Sequence, residues 1–538
     1  MASFKDQARS HYFTYPYFAF RRPAELEGGG QLHPVAIVGG GPVGVTAALE
    51  LARFGVPSVV IEADDTLAEG SRAICFSRRT LEILDALGVA GAVMKKALPW
   101  THGTSYYKDK PVFRLEMPHG EHDKFYPMVN LQQCYLEKFL TDRAAAEPLI
   151  DIRWQSRVVG LTREADKVTL DIETPEGRYP LCARYVIAAD GARSVMRQLL
   201  GLSLHGQSYE GRYLIADIVL RSDYPTERRA WFDPPSNPGS TVLMHKQPDD
   251  IWRIDYQLRD DEDAEQQLQE PRIRQRIAAH LSFIGETKPW ELDWFSLYKA
   301  HSLCLDDYVE DRVIFAGDAA HLVPIFGVRG LNSGIADANN LGWKLALVIE
   351  GKAPPALLRS YGAERRAATF DVFANAGKST LFMTPPSRGY AVMREAALRL
   401  AVDQALTRPL INPRQSQPFY YRESALNTDD RAFAGGPPPG ALPPGRRLTD
   451  GGYLCDLIGR AFTLLAFDDA MRDYLGPWLA AQAGVSLTVL TDDLRADFDA
   501  APASLYLLRP DGHVAARFKA RPSLADLEAA LKRAQGNA

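Results

Sequence analysis

The sequence predicts an α/β protein in which a Rossmann-type parallel-sheet domain and an antiparallel β-sheet domain are interleaved, with a smaller α/β domain after them. Three patterns predict this architecture: a strand–turn–helix–strand unit at 35–62, alternating aromatic-rich segments at about 205–300, and a proline- and glycine-rich linker at 435–445. Domains commonly hold about 150 residues. A chain of 538 residues therefore has room for all three.

Changes in composition along the chain place the boundaries of these units. The first segment is rich in Tyr and Phe without helical spacing, so we expect it to pack on the body or on a partner subunit, as in a homodimer. The predicted units are an N-terminal arm at 1–34, the interleaved domains at 35–430 with the substrate sheet at about 205–300 and a helical segment at about 355–410, and a separately folding C-terminal domain at 440–538.

Composition argues against several classes of function. The net charge is −5, which gives no electrostatic reason to expect nucleic acid as a partner. No apolar run approaches the ~20 residues that cross a bilayer, and the first residues lack the pattern of a secretion signal, so we expect no integral membrane association. The five cysteines are scattered singly, which predicts reduced thiols, no metal site and a cytoplasmic location.

A glycine-rich turn with the G-x-G-x-x-G spacing follows the first predicted strand. Gly39 allows the tight turn, Gly41 lets backbone approach a pyrophosphate, and Gly44 lets helix and strand pack closely, with Pro42 between them. The pyrophosphate would lie at the N-terminus of the helix that follows. Glu62 ends the next strand, at the distance where a carboxylate binds the ribose of an adenosine. The unit predicts dinucleotide binding.

Two later motifs also follow apolar strands. Residues 190–197 read D-G-x-x-S-x-x-R and begin with Asp190. Residues 317–324 read G-D-A-A-H-x-x-P, and Asp318 is placed to accept hydrogen bonds from polyol hydroxyls, such as the ribityl chain of a flavin. The helix N-terminus that comes next, at Asn332, offers backbone N–H groups to an electron-rich heterocycle.

In this order and at this separation, the three motifs resemble those of the class A flavoprotein monooxygenases, the single-component aromatic hydroxylases related to para-hydroxybenzoate hydroxylase and phenol hydroxylase. The resemblance covers about residues 33–410. Larger members, such as 3-(3-hydroxyphenyl)propionate hydroxylase, append a thioredoxin-like domain, and the resemblance implies one at 440–538. Cys455 stands alone there without a redox dithiol, so we expect this domain to be structural and to take no part in the chemistry.

The resemblance implies FAD and NAD(P)H as cofactors and assigns the FAD contacts. The ADP half is implied to bind the glycine-rich turn and Glu62, the ribityl chain Asp318, and the reactive flavin edge the carbonyl of Pro324. Asp190 belongs to the segment that is linked to both FAD and the nicotinamide donor. The implied contacts are Gly39, Gly41, Pro42, Gly44, Glu62, Arg72, Gln133, Asp190, Asp318, Gly330, Leu331 and Asn332.

The resemblance leaves alternatives open at two positions, Gln133 and Arg329. Gln133 matches a flavin-contacting glutamine of the family, but Gln132 lies beside it. Many relatives read F-G-G-Q-G where this chain reads F-G-V-R-G at 326–330. Arg329 therefore either lies near the isoalloxazine or points outward.

The implied reaction is hydroxylation of a phenolic or related aromatic ring with NAD(P)H and O₂, through a flavin C4a-hydroperoxide. The protein must keep the site dry and help remove the phenolic proton, since a phenolate is a better nucleophile than a phenol. Alternatives are an FAD-dependent oxidoreductase without oxygen insertion, or a monooxygenase acting on an amino-substituted, nitro-substituted or polycyclic aromatic. A flavin halogenase is disfavoured because its W-x-W-x-I-P pattern is absent, and a non-enzymatic flavin scaffold because the segment that starts at Asp190 is intact.

Pocket residues are expected on the strands of the middle domain. Alternate residues of a strand face opposite sides, so Trp252, Ile254 and Tyr256 cannot share a face with Arg253 and Asp255. The sequence does not decide which set lines the pocket. We expect a phenolic monocycle as substrate, and Arg253 or His245 would pair with a short acidic side chain on it. The catalytic candidates are Pro324, Arg253, Tyr256 and His245, with His102, Tyr106, Tyr107 and His122 as alternatives.

Overall fold

The computed structural model describes residues 10–70, 73–259, 261–324, 327–411, 418–430, 432–459 and 461–537. Its strands are β1 (Leu32–Val38), β2 (Ser58–Ile61), β3 (Cys75–Ser77), β4 (Leu98–Trp100), β5 (His102–Tyr107), β6 (Lys110–Glu116), β7 (Met128–Asn130), β8 (Ile150–Arg153), β9 (Arg157–Arg163), β10 (Val168–Thr174), β11 (Gly177–Ala188), β12 (His205–Leu220), β13 (Arg228–Phe232), β14 (Thr241–Lys246), β15 (Ile251–Leu258), β16 (Trp290–Cys304), β17 (Val309–Glu310), β18 (Val313–Phe315), β19 (His321–Leu322), β20 (Phe462–Ala466), β21 (Val485–Val489), β22 (Leu505–Leu508) and β23 (Val514–Phe518).

The helices are α1 (Pro42–Arg53), α2 (Arg78–Ala86), α3 (Ala90–Lys96), α4 (Gln133–Ala145), α5 (Val195–Leu199), α6 (Ala264–Gln267), α7 (Glu270–Phe283), α8 (Gly330–Ile349), α9 (Leu357–Met383), α10 (Arg388–Asp403), α11 (Ala470–Ala481) and α12 (Leu524–Ala534). In the part of the chain that the structure describes, none of them combines the length and the apolar character that a bilayer crossing requires.

The main sheet is mostly parallel, with the strand order β17-β18-β11-β1-β2-β8 and an antiparallel extension of β10 and β9 beside β11. β1 and β2 are buried along most of their length, which explains their near-continuous apolar sequences. The predicted strand–turn–helix–strand unit is confirmed as β1, α1 and β2. α1 and α8 pack closely, because a Cβ added at Gly342 would lie 2.6 Å from the Cβ of Glu50.

The second sheet has the order β19-β16-β12-β15-β14-β13-β5-β6. The strands predicted at 241–246 and 251–258 are confirmed as β14 and β15. β5 and β6 were not predicted, because exposed charged residues alternate irregularly along β6 and give only a weak strand signal. α7 covers one face of the sheet with Ile273, Ile277 and Leu281, which recur at helical spacing.

The C-terminal unit has a four-stranded sheet with the order β21-β20-β22-β23. β20 and β21 are parallel and flank α11, and β22 and β23 form the predicted antiparallel hairpin. The expectation that this unit folds separately is corrected by its core. Phe462, Leu464 and Leu527 belong to the same buried cluster as Val35 and Trp343 of the FAD-binding domain.

The proline- and glycine-rich segment at 435–445 is not a free linker. The backbone N–H of Gly440 donates to the carbonyl of Val514 at 2.7 Å, and the backbone N–H of Val514 donates to Ala441 at 2.9 Å. Ala441 is buried. The segment is thus hydrogen-bonded to the C-terminal hairpin. Its proline and glycine residues belong to a packed segment and not to a stiff linker between two domains.

A buried ionic network joins the C-terminal hairpin to α8 and α9. Arg509 donates to both carboxylate oxygens of Glu364, at 2.6 and 2.9 Å, and to Asp511. Lys344 donates to Glu364 at 2.8 Å, and the indole of Trp343 donates to Asp511 at 3.1 Å. Because every charge is matched, the network can remain buried without an unpaired group.

The N-terminal arm packs on the body, as one of the two sequence-based alternatives expected. Phe13 is buried, and the ring of Phe18 stacks on Trp154 with centroids 3.9 Å apart. The aromatic residues of the arm therefore serve as anchors along the surface of the FAD-binding domain.

Candidate active site

The carboxyl ends of four parallel strands meet at one edge of the main sheet. The glycine-rich turn follows β1, Glu62 follows β2, Asp190 comes shortly after β11, and the turn 317–319 follows β18. In open parallel sheets, ligands bind in the crevice outside this edge. The structure thus brings together the three motifs that the sequence placed far apart.

The glycine-rich turn has the geometry of a phosphate cradle. Gly39 has φ of 107°, and a Cβ there would lie 2.5 Å from the carbonyl oxygen of Ala189, so only glycine fits. A Cβ at Gly44 would lie 2.0 Å from the carbonyl oxygen of Gly39. Gly41 has open space around it and caps α1 without a side-chain hydrogen bond, and Pro42 is the first helical residue. The uncapped helix N-terminus is available to an anion.

Glu62 lies beside this turn and is held by backbone N–H groups. Its Oε2 accepts from Gly40 at 2.6 Å and its Oε1 accepts from Asp64 at 2.9 Å. Burial raises the pKa of Glu62, while these hydrogen bonds oppose the shift. A ribose at this position would meet an oriented carboxylate.

Two further carboxylates face the same crevice region. Asp190 accepts from the backbone N–H of Met196 through Oδ2 at 3.0 Å, and its buried Oδ1 has no hydrogen-bond partner among the described residues. Burial raises the pKa of Asp190. Asp318 is exposed in the turn 317–319. Both can still accept hydrogen bonds from a ligand.

The structure separates the two adjacent glutamines. Gln133 accepts from the backbone N–H of Ala73 at 3.0 Å and donates to Glu137 at 2.7 Å. Gln132 is buried and donates to the carbonyl of Pro248 at 2.9 Å in the substrate domain. Gln133 therefore contacts the loop expected to touch FAD. Arg72, the predicted pyrophosphate contact, lies outside the described residues.

Pro324 and the first turn of α8, with Gly330 and Leu331, come shortly after the turn 317–319 in the chain. Pro324 is buried. The side chain of Asn332 accepts from the backbone N–H of Ser77 at 2.9 Å and donates to the carbonyl of Val328 at 2.8 Å. These hydrogen bonds of Asn332 fix the start of α8 and therefore the orientation of the backbone N–H groups in the first turn of the helix.

Arg329 does not point outward. It is 6% exposed and lines a cleft between α2, α8, α9 and the C-terminal unit, together with Asp371, Phe419 and Tyr421. Burial lowers the pKa of Arg329, and the charge of Asp371 opposes this. The neighbouring Val328 has φ of 60°, which is strained for a β-branched residue.

These features fit FAD. Gly41 leaves an open cradle for the pyrophosphate, Glu62 offers an oriented carboxylate for the ribose, Asp190 has a buried oxygen without a partner, and Asp318 has an exposed carboxylate for hydroxyl groups. Among the described residues, no group of three or more His, Cys, Asp and Glu side chains is arranged to hold a metal ion.

The two faces of β15, which the sequence could not tell apart, have different surroundings. Trp252, Ile254 and Tyr256 form the helix face, the side of the sheet that packs on α7. Arg253 and Asp255 lie on the opposite side, which we call the polar face. Tyr256, one of the catalytic candidates from the sequence, has its ring on the helix face, on the opposite side of β15 from Arg253.

A row of charged and polar side chains crosses the polar face. His245 is opposite Arg253, Arg253 is opposite Asp217, and Asp217 is opposite Trp294, on four successive strands. The pairing of β13 with β14 continues to Arg228, which places it level with His245. The row therefore runs across five strands from Arg228 to Trp294.

One end of this row is internally paired. The guanidinium of Arg253 donates to both oxygens of Asp217, at 2.8 and 2.7 Å, and both side chains are buried. The charge of Asp217 more than offsets the effect of burial and raises the pKa of Arg253. Arg253 was a candidate for binding a substrate carboxylate, but Asp217 already occupies that position.

The other end of the row is not paired. Arg228 is 7% exposed, and among the described residues it has no hydrogen-bond or ion-pair partner, although it interacts electrostatically with Cys75 and Asp255. Burial lowers its pKa. The sequence did not predict a role for this residue. The alternation in R-R-A-W-F at 228–232 could have revealed it, since Trp231 on the helix face puts Arg228 on the other.

His245 and Asp255 complete the polar face. Burial and the charges of Arg228 and Arg253 lower the pKa of His245 well below its ordinary value, so the imidazole is neutral. Burial raises the pKa of Asp255 to about 7 against the opposing charge of Arg253. The Nδ1 atom of His245 and the Oδ1 atom of Asp255 are buried without a hydrogen-bond partner among the described residues.

The small sheet of β3, β7 and β4 forms the wall near the polar face. Asn130 accepts from the Cys75 thiol at 2.9 Å and from the Trp100 indole at 2.8 Å. Its amide donates to the carbonyl of Lys246 on β14 at 2.8 Å. This contact fixes the distance between the FAD-binding domain and the substrate sheet.

The remaining sequence-based alternatives do not join this site. His102 and Tyr106 lie on the helix face, where Tyr106 stacks on Trp231 with centroids 5.4 Å apart. Tyr107 lies on the polar face but packs in the apolar cluster under α10. His122 lies at the surface beside Arg446 of the C-terminal unit.

Comparisons with known proteins agree with this geometry. A family model described as FAD binding domain matches residues 33–376, and one described as aromatic-ring hydroxylase, C-terminal, matches residues 436–538. The second model supports a defined C-terminal unit, while its thioredoxin-like fold stays a prediction.

Individual relatives cover nearly the whole chain. A 3-(3-hydroxy-phenyl)propionate/3-hydroxycinnamic acid hydroxylase of Mycolicibacterium smegmatis is 28% identical over 520 residues, covering 89% of this chain and 90% of the relative. A flavin-dependent monooxygenase of Mycobacteroides abscessus is 30% identical over 505 residues, covering 89% and 96%. The crystal structure of the flavin-dependent monooxygenase PieE, in complex with FAD and substrate, is 24% identical with a TM-score of 0.79, covering 94% of this chain and 100% of that one. The predicted fold class is confirmed.

Proposed function

This chain belongs to the FAD-binding aromatic-ring hydroxylases, and we propose on that basis that it hydroxylates a phenol that carries a short carboxylate side chain. The enzyme is an FAD-dependent monooxygenase, NAD(P)H is the reductant typical of its family, and O₂ is the co-substrate. The Mycolicibacterium smegmatis relative is named for substrates that are phenols with a short acidic chain.

Arg228 is the observation that carries the carboxylate in this proposal. Among the described residues the buried guanidinium of Arg228 has no hydrogen-bonded anion, and such a group is costly because it has left water without direct compensation. A bound carboxylate would remove this cost through charge-assisted hydrogen bonds, which arginine can form in pairs. Arg253 cannot replace it, since Asp217 binds its guanidinium at two points.

Asp255 is the proposed acceptor of the phenolic proton. A pKa of about 7 lets a carboxylate accept a proton near neutral pH, and its Oδ1 is open to a ligand. His245 is neutral beside it, so its Nδ1 can accept a hydrogen bond without adding a positive charge. Together these side chains would orient the ring and favour the phenolate.

The residues around the main-sheet edge are the proposed FAD site. Gly39, Gly41, Pro42 and Gly44 would hold the pyrophosphate at the start of α1, where the backbone leaves room. FAD supplies the redox chemistry and the activation of O₂ when bound. The other proposed contacts are Glu62, Arg72, Gln133, Asp190, Asp318, Pro324, Gly330, Leu331 and Asn332.

A matched set of three compounds tests the function. We expect a hydroxyphenylpropionate to stimulate NAD(P)H oxidation and to yield a product heavier by one oxygen atom, whereas its primary amide should bind far more weakly. The methyl ether of the same acid should bind but react slowly, because it has no proton for Asp255 to accept. Oxidation of NAD(P)H without a hydroxylated product from any phenol would favour the oxidoreductase without oxygen insertion.

Location and assembly are also proposals. All five cysteines are free, which supports a reducing compartment such as the cytoplasm. Exposed apolar side chains concentrate on and after α10, including Val392, Met393, Leu400 and Leu406, which supports a homodimer that covers them. Light scattering on the wild type and on Val392→Glu would test the dimer, which the charge should dissociate.

A further inference from the structure

We propose that the N-terminal arm, residues 10–22, positions the loop 63–70 over the FAD site and seals the seam between the FAD-binding domain and the substrate sheet. Tyr15 and Phe13 are the proposed positioning residues. The inference rests on the proposed FAD contacts that flank this loop, and on no assumption about the aromatic substrate.

The arm first contacts the start of the loop, next to the ribose-binding position at Glu62. The backbone N–H of Phe18 donates to the carbonyl of Asp65 at 2.7 Å, and the Thr66 hydroxyl donates to the carbonyl of Pro16 at 2.6 Å. The stacking of Phe18 on Trp154 fixes the arm to the residue that follows β8. The beginning of the loop is therefore bonded on its outer side to the arm.

The arm next supports the middle and the end of the loop. Phe13 is 6% exposed and packs in one cluster with Leu67 and Cys134. The backbone N–H of Gly70 donates to the hydroxyl of Tyr15 at 3.3 Å. Below the loop, the body contributes the Glu137 carboxylate, which accepts from the backbone of residue 68 at 2.9 Å. The loop is held between this carboxylate and the arm.

Beyond the loop, the arm crosses to the substrate sheet. The backbone N–H of His11 donates to Asp293 of β16 at 2.7 Å, and the hydroxyl of Ser10 donates to the same carboxylate at 3.3 Å. Gly70 touches the neighbouring Trp294, since a Cβ there would lie 2.4 Å from the indole. The arm, the loop and the paired end of the polar row thus meet at β16.

This position implies a role in retaining FAD and excluding water. The loop begins directly after Glu62 and leads to Ala73, whose N–H donates to Gln133, so both of its ends adjoin proposed FAD contacts. Opening it would expose the cofactor along its ADP half, and would admit water to a reaction that must stay dry. The matched FAD-binding family model begins at residue 33, so the arm lies outside the region that this model matches.

Two deletions of the full-length holoenzyme test the proposal. The variant that starts at residue 23 removes the arm, and the control that starts at residue 10 keeps it. We expect FAD release, followed as recovery of flavin fluorescence after dilution without substrate, to be about tenfold faster in the first variant, as expected for losing contacts worth roughly 1.4 kcal/mol. Cys134, which is buried beneath the arm, should become reactive to a thiol reagent only in that variant.

A single-atom change guards against loss of folding. Tyr15→Phe keeps the ring and removes the hydroxyl that binds Gly70, so it should speed FAD release by about threefold, the effect of one weak hydrogen bond. The ratio of H₂O₂ released to NAD(P)H oxidised should rise in the same order. Unchanged FAD release and unchanged Cys134 labelling in the arm deletion would overturn the proposal, whatever the substrate proves to be.

Discussion

Arg509 of the C-terminal hairpin and Arg228 of the substrate sheet are both almost fully buried, but their surroundings are opposite. Arg509 meets carboxylate oxygens of Glu364 and Asp511 on all sides of its guanidinium. Arg228 meets none among the described residues, and nearby His245 and Asp255 have buried atoms without partners as well. Proteins normally satisfy the buried polar groups that hold their fold. The difference therefore separates a cluster that is complete within the fold from the one at which we propose that the substrate binds.

The largest effect is expected at the matched cluster. Arg509→Met would remove the guanidinium that binds Asp511 and would leave Glu364 with the Lys344 ammonium, so the free energy of unfolding should fall by about 3–5 kcal/mol. Thermal unfolding of the holoenzyme measures this as a lower Tm. The folded fraction should keep the KM of the wild type, and an unchanged Tm would contradict the structural role of the cluster.

Arg228→Met should weaken substrate binding without lowering the stability of the fold, the reverse of what we expect for Arg509→Met. We expect KM for the phenolic acid to rise roughly tenfold to a hundredfold, because a hydrogen bond to a charged group contributes about 1.5–3 kcal/mol. The Tm should stay the same or rise, since a desolvated cation is removed from the fold. Arg228→Lys keeps the charge and should lose only part of the affinity. A fall in Tm as large as that of Arg509→Met would mean that Arg228, like Arg509, stabilises the fold, and would contradict its proposed role in substrate binding.

The two clusters should also respond to pH with opposite signs. Because the folded-state pKa of Asp255 is raised to about 7, the native state binds its proton more tightly than the unfolded state, and stability falls as pH rises from about 4 to 7. Although burial opposes it, the charges of Arg509 and Lys344 lower the pKa of Glu364, so its contribution is present above the unfolded pKa and is lost in acid.

Asp255→Asn is the variant that isolates the pH effect on catalysis. In the wild type, the rate of phenol hydroxylation should rise through about pH 7 as the carboxylate forms. The Asn variant should lose this rise and should be slower by about 100-fold at pH 8, the lower end for a general base. A pH profile that is identical in both proteins would exclude Asp255 as the proton acceptor.

The smallest effect is expected from Tyr256→Phe. The hydroxyl faces α7 and, within the described chain, has no hydrogen-bond partner, so its loss should leave KM and kcat within about twofold and should not lower the Tm. Steady-state kinetics and thermal unfolding measure both. A large loss of activity would mean that the helix face, and not the polar face, contacts the substrate.

The sequence predicted those parts of the site whose shape depends on a few neighbouring residues. The turn at Gly39 and Gly44 could be predicted because steric limits on the backbone act over a few residues. The strand containing Arg253 and Tyr256 was predicted with its correct bounds, yet all of its residues are buried, so burial could not show which face meets the ligand. That choice depends on which face of the sheet α7 covers, and this is set by the tertiary packing of α7 on β15. Arg228 was missed because two adjacent arginines resemble a solvated surface.

The C-terminal unit shows a different limit of prediction. Its hairpin was predicted from the turn sequence, but the segment before it was interpreted as a linker because Pro and Gly are common in both linkers and tightly packed turns. Gly440 is confined by the carbonyl of Tyr421, only 2.3 Å from where a Cβ would lie. Packing of this kind depends on tertiary neighbours that composition does not reveal.

The interleaving of the two large sheets sets an order for biogenesis. β11 and β18 are neighbours in the main sheet, but residues 189–312, with most of the substrate sheet, lie between them in sequence. During synthesis, Gly39 and Glu62 leave the ribosome long before Asp318 does. Because such distant pairings form late, the cofactor can be captured stably only after the substrate sheet has been made. A nascent chain stalled before β18 would hold half of a nucleotide site, which makes flavin supply a late requirement of maturation.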